Sequence, residues 1–305
     1  MRNILKEEPL VSIIMNCFNG ERYLEDSLKS VLNQTYQNWE LIFWDNKSAD
    51  NSRNIFEKFN DSRFKYFLSE KHTTLYEARN LAIQKAQGEF LAFLDTDDIW
   101  LSDKLKKQIP LFEDNSVGLV YGNFWLFNKS NIIRKKRIFS KDKLEKGIIT
   151  EPLLKNYTVG LLTIVIRKNF LSNLKEVFNP KYDVIADFDF VIKFSANYKF
   201  NCIQEAVAIY RQHEMQLSKK LFNNQIEQLK DCVSNIKLNS KINFLNLKFI
   251  EHKIKYMEIV KLIYEKKILE SLLLINRYPF SLNKIKLIVI LILPKKILKF
   301  LRNYT

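Results

Sequence analysis

Apolar runs of strand length alternate with helix-spaced apolar residues over the first third of this 305-residue chain. Three runs are almost uninterrupted, at residues 11–18, 39–44 and 90–94. Runs of this kind are typical of parallel strands that are covered on both faces. A shorter run lies at residues 64–68, and the segments between the runs predict helices at residues 21–34, 52–59 and 75–87. The pattern predicts an α/β fold with a mostly parallel, Rossmann-like sheet flanked by helices.

The pattern is looser after residue 98. It predicts a helix at 102–114 capped by Ser102, strands at 117–127, 161–166 and 203–210, and a short helix at 186–194. The charged segment 129–146 reads as a surface excursion, and residues 217–275 predict two or three helices outside the sheet. We therefore expect a catalytic domain at residues 1–213 and a basic helical extension at residues 214–305.

Polar side chains cluster where the predicted strands end. They are Asn16, Asn19, Asp45, Asn46, Asp95, Asp97 and Asp98. Open α/β sheets bind ligands at the carboxyl ends of their strands, so this rim is the expected site. Carboxylates this close repel one another unless a hard cation such as Mn²⁺ or Mg²⁺ neutralises them. The alternative is that these residues serve only as turns and helix caps.

The glycine and cysteine patterns and the first residues of the chain argue against several classes of protein. The six glycines form neither GxGxxG nor a P-loop, and the three cysteines form neither a disulfide framework nor a zinc ribbon. Two glutamates and Pro9 stand where a signal peptide would need apolar residues, which predicts a cytoplasmic protein.

The net charge of +15 is concentrated in the extension, which holds 18 Lys and Arg against 7 Asp and Glu. From Lys284 onward six basic residues and no acidic residue surround the apolar stretch 287–293. Seven residues are too few to cross a bilayer, which takes about 20. We expect residues 284–305 to lie on an anionic membrane surface, at the inner face of the cell membrane. The alternative is a helix packed on the domain with a solvated basic face.

A resemblance to a known family rests on two segments. One begins at Pro9 and reads PLVSIIMNCFNGERYLEDSLKSVLNQTYQNWELIFWDNKSADNS; the other begins at Glu77 and reads EARNLAIQKAQGEFLAFLDTDDIW. Together they resemble the family 2 glycosyltransferases, inverting enzymes of the GT-A fold that use nucleoside-diphosphate sugars. The resemblance runs from Pro9 to Asn123 and more weakly to His213.

The resemblance implies roles for the rim residues. It implies that the nucleobase and the rest of the donor are bound by Asn16, Asn19, Asp45, Asn46, Arg79, Asp95 and Asp97. It implies that the metal is bound by Asp97, Asp98 and His213. Asn46 stands where a second aspartate is common, so uridine is only the leading nucleobase. From the sequence, Arg79 can also pair with Glu77 or Asp45, and His213 can be a surface residue.

The catalytic base that the resemblance implies is Asp187, in the segment IADFDFVIKF. It would accept the proton of the acceptor hydroxyl, whereas Asp189 reads as a neighbouring polar residue. Aromatic residues at 121, 124, 125 and 127 can stack on acceptor sugars or pack in the core.

The sequence thus predicts a metal-dependent inverting hexosyl- or N-acetylhexosaminyltransferase, with a UDP-sugar donor and a cell-surface glycan or lipid-linked acceptor. One alternative is a catalytically silent membrane scaffold, which would need none of these carboxylates. Nucleic-acid binding is disfavoured because the predicted site is acidic.

Overall fold

A computed structural model describes residues 8–129, 134–239 and 244–293. The chain divides into two compact units, Met1–Lys220 and Leu221–Thr305. The first unit therefore extends seven residues beyond the boundary expected at residue 213.

One mixed sheet organises the first unit. Its strands are β1 (Val11–Cys17), β2 (Trp39–Asp45), β3 (Phe64–Leu68), β4 (Phe90–Phe93), β5 (Ile99–Trp100), β6 (Val117–Lys129), β7 (Arg134–Ile138), β8 (Val165–Arg167) and β9 (Lys199–Gln212). The order is β3-β2-β1-β4-β8-β6-β9-β5, with β7 paired to β6. The four strands β3, β2, β1 and β4 are mutually parallel, β8 is antiparallel to both of its neighbours, and β6 and β9 are parallel. The predicted α/β class is confirmed, and the parallel half is the part that the apolar runs marked.

Helices connect these strands. They are α1 (Glu21–Leu32), α2 (Ser52–Glu57), α3 (Leu75–Ile83), α4 (Lys104–Gln108), α5 (Thr150–Lys155), α6 (Ala186–Ser195) and α7 (Leu217–Lys220). Every residue of β1 and β2 is buried, as expected for strands covered on both faces. Leu24, Leu28 and Val31 of α1 pack into the same core. The sheet core thus accounts for the uninterrupted apolar runs.

Three local predictions differ in detail from the structure. The predicted helix 102–114 is only α4 followed by a 3₁₀ turn, because Pro110 has no amide hydrogen to continue the helix. Its N-cap position is Asp103, not Ser102. The predicted excursion 129–146 contains β7, and the predicted strand 161–166 is a 3₁₀ turn followed by β8.

The second unit is helical, with α8 (Phe222–Asn239), α9 (Phe244–Tyr264), α10 (Ile268–Arg277) and α11 (Leu282–Ile292). A small core joins the last three of these helices, formed by Ile259, Ile263, Ile275, Tyr278 and Leu287. Within the described ranges no helix combines the length and apolarity needed to cross a bilayer. Of the segment 284–305, α11 covers the first part, and residues 294–305 lie outside the described residues.

Candidate active site

A cleft of about 290 Å³ opens at the carboxyl end of β4. One wall is polar and carries Tyr76, Arg79, Asp95, Asp98, Asp183 and Asp187. The other wall is apolar and largely aromatic, and includes Phe124, Leu126, Phe139, Leu161, Leu162 and Tyr210. Phe139 stacks on Phe124 with ring centroids 4.3 Å apart. The volume and the mixed lining are those of a small-molecule site.

The three aspartates that follow β4 converge. Carboxylate oxygens of Asp95, Asp97 and Asp98 all lie within 4.8 Å of one another. Asp98 is buried and accepts a hydrogen bond from the backbone N–H of Arg211 at 3.0 Å. Burial, together with the charges of the other two aspartates, raises the pKa of Asp98 well above its usual value. The cluster is thus under electrostatic repulsion that a cation would relieve.

One histidine lies beside this cluster. His213 Nε2 is 2.9 Å from Asp97 Oδ2, because β9 pairs with β5, the strand that follows the aspartates, and ends at Gln212. Carboxylate oxygens and an imidazole nitrogen are suitable ligands for Mn²⁺, and the carboxylates alone suit Mg²⁺. The side chains present therefore fit a hard divalent cation.

Arg79, on α3, is buried and forms an ion pair with Asp95. Its guanidinium also lies 4.9 Å from the centroid of the Tyr76 ring. This ion pair is formed with Asp95 of the aspartate segment and not with Glu77 or Asp45, the two partners considered from the sequence. Arg79 is thereby held with its charge at the cleft wall.

Asp187 lies in the first turn of α6 and faces the same cleft. Tyr76 donates a hydrogen bond from its hydroxyl to Asp187 Oδ1 at 3.0 Å. Burial raises the pKa of Asp187 above its usual value, although the Arg79 charge and the Tyr76 hydrogen bond oppose this. Asp189, two residues further on, is buried and pairs with Lys193 at 2.7 Å. Only the first of the two carboxylates lines the cleft.

Side chains on one face of α3 contact both Asp95 of the aspartate cluster and Asp187. Tyr76, Arg79 and Asn80 have the i, i+3, i+4 spacing that places side chains together on a helix. The Asn80 amide donates to Phe178 O at 2.7 Å and accepts from Phe178 N at 3.0 Å, which holds the segment leading to α6. The sequence reasoning found Arg79 but missed Tyr76, Asn80 and Asp183. The helical spacing around Arg79 was the available signal for the first two.

The polar residues at the ends of β1 and β2 differ in whether their side chains form hydrogen bonds within the described part of the chain. Asp45 accepts from Ser48 N at 2.7 Å and from the Tyr66 hydroxyl at 2.6 Å. The Asn46 amide is engaged with Thr73, donating to its carbonyl at 2.8 Å and accepting from its N–H at 3.1 Å. These contacts shape the loops.

Asn19 Oδ1 accepts from Ala49 N at 2.8 Å, which ties the loop after β1 to the loop after β2. Asn16 differs from these residues. It is buried, and neither of its amide atoms has a hydrogen-bond partner among the described residues. Asn16 pairs in register with Trp44 of β2, whose indole nitrogen is also buried without a partner in that part of the chain. Unsatisfied buried polar groups of this kind call for a partner from outside the chain.

The family model for glycosyl transferase family 2 matches residues 12–175, which run from the second residue of β1 past the end of β8 and include the aspartate cluster. The chain belongs to glycosyl transferase family 2. This family 2 glycosyltransferase is 39% identical over 177 residues to the UDP-Glc:alpha-D-GlcNAc-diphosphoundecaprenol beta-1,3-glucosyltransferase WfgD of Escherichia coli. The alignment covers 58% of this chain and 68% of that protein.

Solved structures agree on the fold. S. aureus TarS 1-349 in complex with UDP-GlcNAc superposes with a TM-score of 0.66 at 17% identity, covering 88% of this chain and 81% of that one. The mannosyltransferase PcManGT from Pyrobaculum calidifontis, in complex with GDP-Man and Mn²⁺, superposes with a TM-score of 0.62 at 16% identity, covering 93% and 79%. This family 2 glycosyltransferase therefore has the GT-A fold that the sequence predicted.

Proposed function

We propose that this glycosyltransferase moves a sugar from a nucleoside-diphosphate sugar, with uridine as the leading nucleobase, to a lipid-linked glycan acceptor, inverting the anomeric centre. The observation that carries the proposal is the cleft itself, in which an aspartate cluster and a separate carboxylate, Asp187, line one wall. Support for the donor and acceptor classes comes from the relative WfgD, which is named for UDP-Glc and a diphosphoundecaprenol acceptor.

The nucleobase would meet the loops after β1 and β2. Among the described residues neither the amide oxygen nor the amide nitrogen of Asn16 has a hydrogen-bond partner, and an amide can pair with the acceptor and donor of a uracil imide edge. A small shift of Asn16 would be needed, since both amide atoms are buried. Asn19, Asp45 and Asn46 would contribute by holding the loops in the binding conformation, since their own hydrogen bonds tie those loops together.

The diphosphate would meet the aspartate segment. Asp97, Asp98 and His213 would hold a divalent cation, either Mn²⁺ or Mg²⁺, and Asp95 would face the ribose. When bound, that cation supplies positive charge that neutralises the leaving diphosphate. Arg79 adds a permanent positive charge at the same wall, and its ion pair with Asp95 keeps it there.

Asp187 would be the general base. As the acceptor oxygen forms its bond to the anomeric carbon and the bond to the diphosphate breaks, the hydroxyl proton passes to the Asp187 carboxylate. A raised pKa brings this carboxylate nearer to the operating pH, which makes it a stronger base. Tyr76 fixes its orientation through the hydroxyl hydrogen bond.

The acceptor would lie against the aromatic wall. Phe124, Phe139 and Tyr210 offer apolar ring faces and edges on which a sugar can pack. A lipid-linked acceptor requires the enzyme to work at a membrane, and the basic segment 284–305 would bring it to the anionic inner face of the cell membrane.

Melting temperature with nucleoside diphosphates, measured with and without Mn²⁺, tests the proposal. A ligand at 100 times its dissociation constant adds about 2.7 kcal/mol to the free energy of unfolding. We expect UDP with Mn²⁺ to raise the melting temperature and EDTA to abolish the rise. If no nucleoside diphosphate changes the melting temperature, the proposed donor class is wrong.

A further inference from the structure

The helices α10 and α11 each bury one side only. Ile275 and Tyr278, at the end of α10, and Leu287 of α11 pack with Ile259 and Ile263 of α9. The Lys284 ammonium closes this arrangement by donating to the carbonyls of Asn276 and Tyr278 at 2.9 and 2.8 Å. The two helices and their turn therefore form a fixed hairpin on α9.

The remaining surface of this hairpin is apolar and exposed. Its residues, called here the α10–α11 face, are Leu269, Leu272, Leu273, Phe280, Leu282, Ile285, Ile288, Val289 and Ile292. Leu269, Phe280 and Leu282 are 79%, 88% and 77% exposed. The last four α11 members, from Ile285 to Ile292, recur at i, i+3, i+4 and i+7, and Leu282 lies three residues before them, which places all five in one stripe along the helix. A stripe of this size on a folded unit marks an interaction surface.

The charge around this face indicates which kind of partner it can bind. From Lys266 to the C-terminus the sequence has nine Lys and Arg and a single acidic residue, Glu270. Among the described basic residues, Lys266, Lys267, Arg277 and Lys286 are exposed, whereas Lys284 is engaged with backbone carbonyls. An apolar stripe bordered by positive charge complements the acyl chains and anionic headgroups of a bilayer. A second copy would bring the same positive charge against itself, which opposes pairing through this face.

We propose that the α10–α11 face docks on an anionic lipid bilayer, with the stripes of both helices and Phe280 of the turn embedded at the headgroup boundary. The proposal rests on the proposed function for its membrane-bound acceptor, but it extends the contact site to α10. Leu287 lies in the apolar stretch that the sequence suggested as the anchor, yet it is buried against α9 and is not part of the face. The docking element instead begins at Leu269.

Vesicle flotation of the full chain tests this docking without any substrate. The wild type is expected to float with phosphatidylglycerol vesicles and far less with phosphatidylcholine vesicles. The double variant Leu273→Glu/Phe280→Glu should bind at least about tenfold more weakly, because two apolar side chains are replaced by charged ones. Lys286→Glu should weaken binding about fivefold at low salt and much less at high salt. Ile148→Glu, at an exposed apolar position of the first unit, is the matched control and should bind like the wild type.

Three results would overturn the proposal. The first is wild-type flotation by the double variant. The second is that the wild type does not float but self-associates, as seen by light scattering, and that the double variant no longer self-associates. The third is flotation only after residues 294–305 are removed, which would mean that this segment covers the face. Transfer to a soluble acceptor, measured in parallel, should be unchanged in the double variant, so that failure of docking and failure of the proposed chemistry are distinguishable.

Discussion

Replacing Asp187 with Asn removes the proposed base while leaving the cleft almost unchanged. Asn is nearly isosteric with Asp, and its Oδ1 can still accept the hydrogen bond that Tyr76 donates at 3.0 Å in the wild type. The substitution therefore removes one negative charge and the proton acceptor, and little else.

The expected loss of turnover is about 10²- to 10⁴-fold, the range for a positioned general base. This corresponds to roughly 2.7 to 5.4 kcal/mol in the activation barrier. Stability should not fall. Burial raises the folded-state pKa of Asp187 above its unfolded value, so its contribution to stability is full below the unfolded pKa and is lost as the pH rises through the folded pKa. At neutral pH the Asn variant should melt at the same temperature as the wild type or slightly higher.

The assay is the rate of nucleoside diphosphate release with saturating donor and acceptor, alongside nucleotide binding. Two aspartates provide controls. Asp189→Asn loses an ion pair with the half-exposed Lys193 and does not alter the cleft lining, and Asp183→Asn removes another carboxylate from the cleft wall. Both should retain turnover within about tenfold of wild type. Normal turnover in Asp187→Asn, or the large loss appearing in Asp183→Asn instead, would refute the assignment.

Three further predictions concern neighbouring side chains. Tyr76→Phe removes a hydrogen bond that lowers the pKa of Asp187. The acidic limb of the pH profile of kcat should therefore move to higher pH while the donor KM stays constant, and an unshifted limb would contradict this. Asp97→Asn should abolish the Mn²⁺-dependent part of UDP binding measured by calorimetry, and full activity in EDTA would contradict a metal role. Lys104 is buried above Trp100 without a hydrogen-bond partner among the described residues, and burial lowers its pKa well below the usual value. Lys104→Met should therefore raise the free energy of unfolding by about 1 to 3 kcal/mol at pH 7 and by less near pH 10. Chemical denaturation at the two pH values measures both changes.

The sheet half built from β1 to β4 was predictable because its strands are covered on both faces, which leaves uninterrupted apolar runs in the sequence. The position of the aspartate cluster followed from the same runs, since the ends of parallel strands meet at one edge. The strand β7 was not predictable from periodicity, because its residues RKKRI are mostly basic and it is held by pairing with β6.

The acceptor side of the cleft was harder to predict from the sequence. Asp187 was found only through the family resemblance, because one aspartate in a short helix carries no local signal of catalysis. Its partner Tyr76 is 111 positions away, and their contact exists only in the folded chain. Asp183 belongs to the same wall for the same tertiary reason. The exposure of the α10–α11 face was also hidden, since apolar periodicity alone does not tell which face of a helix is covered.

The anomeric configuration of the product shows whether this glycosyltransferase inverts the transferred sugar. The protein is incubated with a UDP-sugar, Mn²⁺ and a diphosphoprenyl-linked sugar, and the coupling constant of the newly linked sugar is read by proton NMR. We expect a configuration opposite to that of the donor, because Asp187 would activate the acceptor for attack on the face away from the diphosphate. A product that retains the donor configuration would refute the proposed role of Asp187 as the base of an inverting transfer.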